Sequence, residues 1–338
     1  MPSRPSTPSL PPGLIVRLGK TVWHGVWQVM MGQLAPSDAA GSYVRPPSQF
    51  RAGLTDDRDP PAPGRYRLIV GMGCPWAHRT LVVRALKGLE AVVPQWLVVP
   101  SPDEGRWVFA PASVSGVEAE ETKAWRSLPD LYQTAQPGYS GRSTVPVLWD
   151  TQTQTIVNNE SLDIIKLLNQ AFTPWAQWPE RDLYPAEQRQ AIDGWIDRNY
   201  HAINNGVYRC GFARSQAAYE AAATLLFDSL AAIDAHLADQ RYLCGDGLTL
   251  ADVCLFTTLA RFDAAYHGLF KCDRHHLRDY AHLWPYARDL YQQPGVAATC
   301  DFATIRRDYY GNLFPLNPGG LIPLGPDPKD WLAPHGRG

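Results

Sequence analysis

The sequence predicts two structural classes in one chain, an α/β unit with a mixed four-stranded sheet followed by an all-α domain. Three observations carry that expectation. Between Arg65 and Gln170, short apolar runs and helical periodicity alternate in the order β-α-β, then β-β-α. After Pro185 the chain turns to long stretches rich in Ala, Leu, Ile, Asp and Arg. The length of 338 residues suits two ordinary domains, and 45% hydrophobic residues suffice for a core without disulfides or metals. Lys+Arg 31 against Asp+Glu 33 gives a net charge of −2 with no basic block, which argues against nucleic-acid backbone or an anionic membrane surface as partner. Small molecules or proteins are the expected partners.

Of the 30 prolines, 11 fall in residues 1–63 and 8 in residues 285–338, so both ends are expected to be largely irregular, draped segments. MPSRPSTPSLPPG has no basic stretch followed by an apolar one and is not read as a secretory leader. From Leu14 to Leu34, a polar stripe of Lys20, His24 and Gln28 lies opposite Val22, Trp23, Val26, Trp27 and Met30. That spacing predicts an amphipathic helix in the N-terminal extension 1–63. Packing of its apolar stripe onto the protein's own body is preferred over an interfacial membrane anchor. No segment has the ~18 uncharged apolar residues of a membrane span.

The sheet domain is expected over 64–172. Tyr66–Met72 reads as a buried strand broken by GMGCPW, Trp76–Glu90 as a helix and Ala91–Val99 as a second strand. A Gly/Pro-rich, charged insertion at 100–143 follows. Thr144–Trp149 and Thr155–Val157, separated by turn residues, then read as a hairpin, and Glu160 to about Gln170 as a helix. This order is that of a thioredoxin-like domain. Residues 173–184 form a linker. Helices near Ala186–Tyr208, Ser215–Ala238, Leu250–Tyr266 and His282–Gln292 build the domain 185–310, and 311–338 is an irregular tail. Thr249-Leu-Ala-Asp252 is a helix-start motif assigned to folding.

The motif that carries chemistry is Gly73-Cys74-Pro75-Trp76-Ala77-His78-Arg79, at a strand-to-helix junction. A cysteine there meets unpaired N–H groups and the positive end of the helix dipole, both of which stabilise a thiolate nucleophile. Proline beside it suits the first helical turn. The other five cysteines, Cys210, Cys244, Cys254, Cys272 and Cys300, are read as inert; no C-x-x-C pair or zinc-like spacing occurs, and the set fits a reducing, cytoplasmic setting. Ala77 stands where a resolving cysteine would be, so an external thiol must resolve a mixed disulfide, and glutathione is the natural candidate. Val145-Pro146, with a cis bond, would expose strand backbone to a peptide ligand. Ser161 at the following helix start could hold a carboxylate, and Glu160 an amine. His78 and Arg79 are read as solvated or interdomain contacts.

GCPWAHR, TVPVLWD, VNNES, NNGVYRCGFA, YLCGDGLTLADVCLF, RFDAAY and LNPGGLIPLGP together resemble the glutathione transferase superfamily, and within it the Xi class, the glutathionyl-hydroquinone reductases. The resemblance runs from about Gln33 over nearly the whole chain. It implies an all-helical glutathione-transferase C-terminal domain, glutathione as co-substrate, no metal, and a homodimer. It further implies that Cys74 takes glutathione from a glutathionyl-hydroquinone and is freed by a second glutathione. Carried over residue by residue, the glutathione site falls on Trp107, Val145, Pro146, Glu160 and Ser161, with Arg126 preferred over Arg142. The hydroquinone site falls on Tyr208, Tyr266 and Tyr309, the last preferred over Tyr310. One departure stands out: Asp308 and Asn312-Leu313 occupy positions where the class more usually has histidine and Ser-His. The alternatives on the same scaffold are a general glutathione-dependent thiol transferase or dehydroascorbate reductase, and a non-catalytic binding module.

Overall fold

The computed structural model describes residues 12–54, 60–101, 103–111, 122 and 124–337. The Pro-rich start on which the leader reading rests, and much of the insertion, lie outside the described residues. Helix α1 spans Pro12–Leu34. The sheet domain follows as β1 (Tyr66–Val70), α2 (Pro75–Lys87), β2 (Gln95–Ser101), β3 (Arg106–Phe109), α3 (Leu128–Ala135), β4 (Val147–Asp150), β5 (Thr155–Asn158) and α4 (Ser161–Gln170). The sheet order is β3-β2-β1-β4-β5, with β1 and β2 parallel and the other pairs antiparallel.

The fold is the expected thioredoxin-like one, with five strands rather than four. The added strand comes from the insertion: Gly105 N–H closes a turn onto Ser101 O at 3.0 Å, and Arg106–Phe109 returns along β2. Glycine, proline and charge in that stretch signal a loop, but a tight hairpin uses the same residues. At the start of β1, buried Arg65 holds Asp150 of β4 through Nε at 3.0 Å and Nη2 at 2.5 Å, so the ion pair ties the central strand to its antiparallel neighbour.

The helical domain contains α5 (Arg189–Asn199), continued by a π-turn (Tyr200–Asn204) into α6 (Gly206–Gly211), and α7 (Gln216–His236). Next come α8 (Leu250–Arg261), a second π-turn (Phe262–Tyr266), α9 (Leu283–Tyr291) and α10 (Phe302–Asn312). The Thr249 start motif forms as expected for folding: buried Asp252 accepts from Thr249 N–H at 2.8 Å, Leu243 N–H at 2.9 Å and the Tyr286 hydroxyl at 2.8 Å. Helix α2 is the seam of the molecule. It packs on α4 within its own domain and on α8 across the domain boundary.

The N-terminal arm departs from expectation. Helix α1 forms, but only its C-terminal end packs inward, where Met31 and Ala35 are buried. Of the apolar stripe, Trp27 packs on the core, Met30 is half-buried and Trp23 meets Phe314 at 6.4 Å, while Val22 and Val26 stay exposed, so the stripe lies on the protein's body only in part. Its anchor is at the end: Arg214 bonds to Gln28 O and to Ser37 Oγ. Beyond α1 the arm runs beside β5, with reciprocal bonds between Phe50 and Asn159 and the ion pair Arg51–Asp163 at 2.8 Å. The tail is pinned by buried Trp331 and by Arg337 on Leu237 O and Gln240 O. Among the described residues, no helix is long and apolar enough to cross a membrane.

Candidate active site

Strand β1 ends at Val70, and Gly71-Met72-Gly73 turns the chain so that Cys74 N–H bonds to Gly71 O at 3.0 Å. Cys74 is then the N-cap of α2, in extended conformation with Pro75 in the first turn. Its partly buried thiol points at Val145 O, 3.7 Å away. The Val145–Pro146 bond is cis. Both turn glycines are needed for close approach. A side chain at position 71 would meet the Trp107 ring at 2.4 Å, and one at position 73 would meet the Asp308 carboxylate at 2.4 Å. Burial pushes the thiols of Cys244, Cys254 and Cys272 up, and that of Cys300 up to about 12.

At the start of α4, Glu160 caps the helix by accepting Leu162 N–H at 3.3 Å. The same carboxylate accepts the Ser161 hydroxyl at 3.4 Å and the Ser48 hydroxyl at 2.9 Å. Ser48 comes from the N-terminal arm and was not singled out in the sequence, where a lone serine between prolines and glutamine carries no signal. Trp107 stands on β3 over Gly71 and lines a groove of about 420 Å³ with Arg142, Thr144, Tyr139 and Gln133. Arg126 is not in that lining. Its exposed side chain pairs with Glu104, which Arg106 shares.

Across the cleft three phenols converge. Tyr208 from α6, Tyr266 from the π-turn after α8 and Tyr309 from α10 meet with Tyr309 at the centre. Its hydroxyl lies 2.5 Å from that of Tyr208 and 3.0 Å from that of Tyr266. Phe270 packs on all three rings at 5.3 to 5.7 Å. Burial, followed by the neighbouring phenols, pushes Tyr208 and Tyr309 well above the usual tyrosine range, and burial pushes Tyr266 up to about 12. All three are therefore hydrogen-bond donors at neutral pH. Asp308, the residue before Tyr309, packs against Gly73, the residue before Cys74, so the helical wall that carries the phenols lies against the thiol's turn. Tyr310 is turned away, toward Gly268 and Leu269. Tyr43 of the arm joins this side, 6.4 Å from Tyr208 and 5.4 Å from Phe212.

His78 lies in the domain seam. Its buried ring bonds to Thr299 Oγ1 at 2.8 Å through Nε2 and accepts from Arg261 at 2.8 Å through Nδ1, and burial, with Arg261, holds it well below the usual histidine range. It is a neutral interdomain contact. Arg79, also buried, donates to Asn204 at 3.0 Å and stacks on Trp76. Among the described residues, no three His, Cys, Asp or Glu gather where a metal ion would be held.

A thiol at a helix start, a cis-proline strand facing it and a helical wall of aromatic groups define a glutathione transferase site. Family models for the glutathione S-transferase N-terminal domain and C-terminal domain match residues 73–171 and 216–292. Glutathionyl-hydroquinone reductase YqjG of Escherichia coli is 43% identical over 328 residues, covering 94% of this chain and 96% of that protein. PcpF of Sphingobium chlorophenolicum, a protein of the same name class, is 42% identical and covers 90% and 94%. The glutathione-bound structure of YqjG superposes with a TM-score of 0.81 over 86% of this chain and 96% of that one, at 43% identity. A Xi-class transferase from Natrialba magadii gives 0.81 at 46% identity, over 85% and 88%. The chain belongs to the glutathione transferase superfamily and, within it, to the Xi class of glutathionyl-hydroquinone reductases.

Proposed function

We propose that this protein is a glutathione-dependent reductase that removes glutathione from glutathionyl-hydroquinones, with Cys74 as its nucleophile. In the first step the Cys74 thiolate attacks the glutathione sulfur of the substrate. The carbon–sulfur bond breaks, the ring carbon takes up a proton, and hydroquinone leaves a Cys74–glutathione disulfide. In the second step a glutathione thiolate attacks the glutathione sulfur of that disulfide, releasing oxidised glutathione and regenerating the Cys74 thiolate. Two glutathione sulfurs are oxidised to a disulfide and the aryl thioether is reduced. Neither step needs a metal.

The observation that carries the reading is the meeting of Tyr208, Tyr266 and Tyr309 in the helical wall that packs against the turn before Cys74. Three protonated phenols in an apolar pocket suit the oxygens and ring of a hydroquinone; a general thiol transferase or dehydroascorbate reductase has no use for them, and a binding module has none for a poised thiol. Domain 64–172 takes glutathione: Val145 beside cis-Pro146 pairs with its backbone, Glu160 and Ser161 hold its amine and carboxylate end, and Trp107 covers it, with Arg126 or Arg142 as the cation. Domain 185–310 takes the ring. The protein acts as a cytoplasmic homodimer.

The test is glutathione-dependent release of hydroquinone from a synthetic glutathionyl-hydroquinone by wild type and Cys74→Ala, followed by intact mass. The expected result is release that depends on Cys74 and an adduct of one glutathione, with glutathione binding retained in the variant. Full activity of Cys74→Ala sinks the mechanism. A reactive Cys74 without release transfers the reading to a general thiol transferase, and an unreactive one to a binding module.

A further inference from the structure

The two residues before Cys74 are gripped from the other domain by groups of opposite charge. Arg261, at the end of α8 and fully buried, donates through Nε to Gly73 O at 2.9 Å and through Nη2 to Met72 O at 2.8 Å. Its Nη1 is taken by Thr257 O at 2.9 Å and by His78 Nδ1 at 2.8 Å. Asp308, from α10, presses its carboxylate against Gly73 so closely that no side chain fits there, and accepts the Gly73 N–H. One peptide unit thus has its carbonyl held by a guanidinium and its N–H by a carboxylate, both from the helical domain.

We propose that Arg261 and Asp308 are positioning residues that clamp the Met72–Gly73 backbone from the helical domain and thereby set where the Cys74 sulfur sits. The proposal rests on the reading of Cys74 as the nucleophile and adds what aims it. Displacing a nucleophile by even an ångström costs up to about a hundredfold in rate, and the glycines on both sides of Met72 bring no side chains of their own to fix the loop. The planar fork of Arg261 matches two adjacent carbonyls in a way a lysine ammonium does not.

The clamp also carries a pH-sensitive member. Burial pushes Asp308 up to about 6, against the downward pull of Arg307, the Gly73 N–H and Arg261. The charged groups that act on it are Arg307 on its own helix, Asp301 at the cap of that helix and Arg261 from α8; the π-turn packed on α10 brings Asp263 and Tyr266, and Cys74 follows Gly73 in the chain. Strand β2, which also touches α10, brings no titratable side chain. Asp308 is therefore an anion at neutral pH and loses its charge in mild acid.

The experiment is the rate of Cys74 alkylation by iodoacetamide in the full chain, located by peptide mass, between about pH 5 and pH 8. Asp308→Ala removes acceptor and charge, and the expected loss is about tenfold at neutral pH with an unchanged melting temperature. Asp308→Asn keeps an acceptor for Gly73 N–H. It is expected to stay within about twofold of wild type at neutral pH and to lose the bend near pH 6 that the wild-type profile shows. Arg261→Lys, which keeps charge but not the fork, is expected to resemble Asp308→Ala; should it fail to fold, the Asp308 pair decides. Wild-type rates in Asp308→Ala, or a bend retained in Asp308→Asn, overturn the proposal. The readout uses neither glutathione nor hydroquinone. A wild type that alkylates but does not release hydroquinone refutes the substrate reading and leaves the clamp to stand or fall on the variants, whereas an unreactive wild-type Cys74 refutes both.

Discussion

The two walls of the cleft are made of different things. On the sheet-domain wall the working groups are backbone and helix ends: the turn after β1, the start of α2, the carbonyl of Val145 and the start of α4. On the helical wall they are side chains alone, and the hydroxyl contacts there join residues 101 and 43 positions apart. The first wall starts from a local motif, since a strand, two glycines and a proline put Cys74 at a helix start, and the helical domain adds only the grip of Arg261 and Asp308 on the turn before it. The second exists only when α6, α8 and α10 are packed. On the proposed function, handling of sulfur starts from a local motif and choice of substrate from tertiary assembly.

Removing one oxygen from the helical wall is the sharpest way to separate them. Tyr309→Phe takes out the hydroxyl that Tyr208 and Tyr266 both touch, and leaves the packing on Phe270 in place. Hydroquinone release is expected to fall by about a hundredfold in kcat/KM, the usual cost of a buried donor aimed at developing charge. Exchange with a small glutathione disulfide, which needs only the first wall, is expected to stay within about twofold. Equal losses in both assays would break the division. Next in size is Glu160→Gln, which keeps an acceptor for Leu162 N–H and the Ser48 hydroxyl and removes only charge. About a tenfold rise in KM for glutathione with kcat unchanged is expected, as for a charge-assisted bond to an amine made equally in ground and transition states.

The seam between the walls has its own acid sensitivity. His78 is neutral when folded and holds Thr299 and Arg261, and its folded pKa lies well below 6.5. The unfolded chain then binds the extra proton first. The stability His78 contributes is whole above about pH 6.5 and is lost as pH falls below it, at up to about 1.4 kcal/mol per pH unit. Melting temperatures of wild type and His78→Asn across mild acid check this; the wild type should fall more steeply, and parallel lines would remove His78 from the account.

How far the sequence could be read follows the same local-to-tertiary divide. The Cys74 junction, the strand-entry proline and the Thr249 start motif are legible because each is a run of a few residues with a physical reason for its order. The resemblance supplied the three tyrosines, and it singled out Tyr309 from its neighbour. Ser48, Arg261 and Asp308 were not legible as site groups, because a serine in a proline-rich arm, an arginine closing a helix and an aspartate near a tyrosine pair are ordinary until folding brings them to Glu160 and Gly73. The fifth strand hid in an insertion whose turn residues read as loop. The apolar stripe of α1 packs only in part, since periodicity reports which side is apolar but not how much stands opposite it.

The smallest expected effect bears on the one cation in the first wall that local sequence does not fix. Arg126 is three-quarters exposed, with 76% of its side chain open, and it is already paired with Glu104, which Arg106 can hold in its absence. An exposed pair of this kind contributes no more than about 1 kcal/mol. Arg142 instead lines the same groove as Trp107 and Thr144, the residue before Val145. Arg126→Ala is therefore expected to change KM for glutathione by about twofold or less, and Arg142→Ala by more. The reverse order, measured in the same assay, would mean that Arg126 leaves Glu104 when glutathione arrives, and that this wall too is completed by tertiary rearrangement.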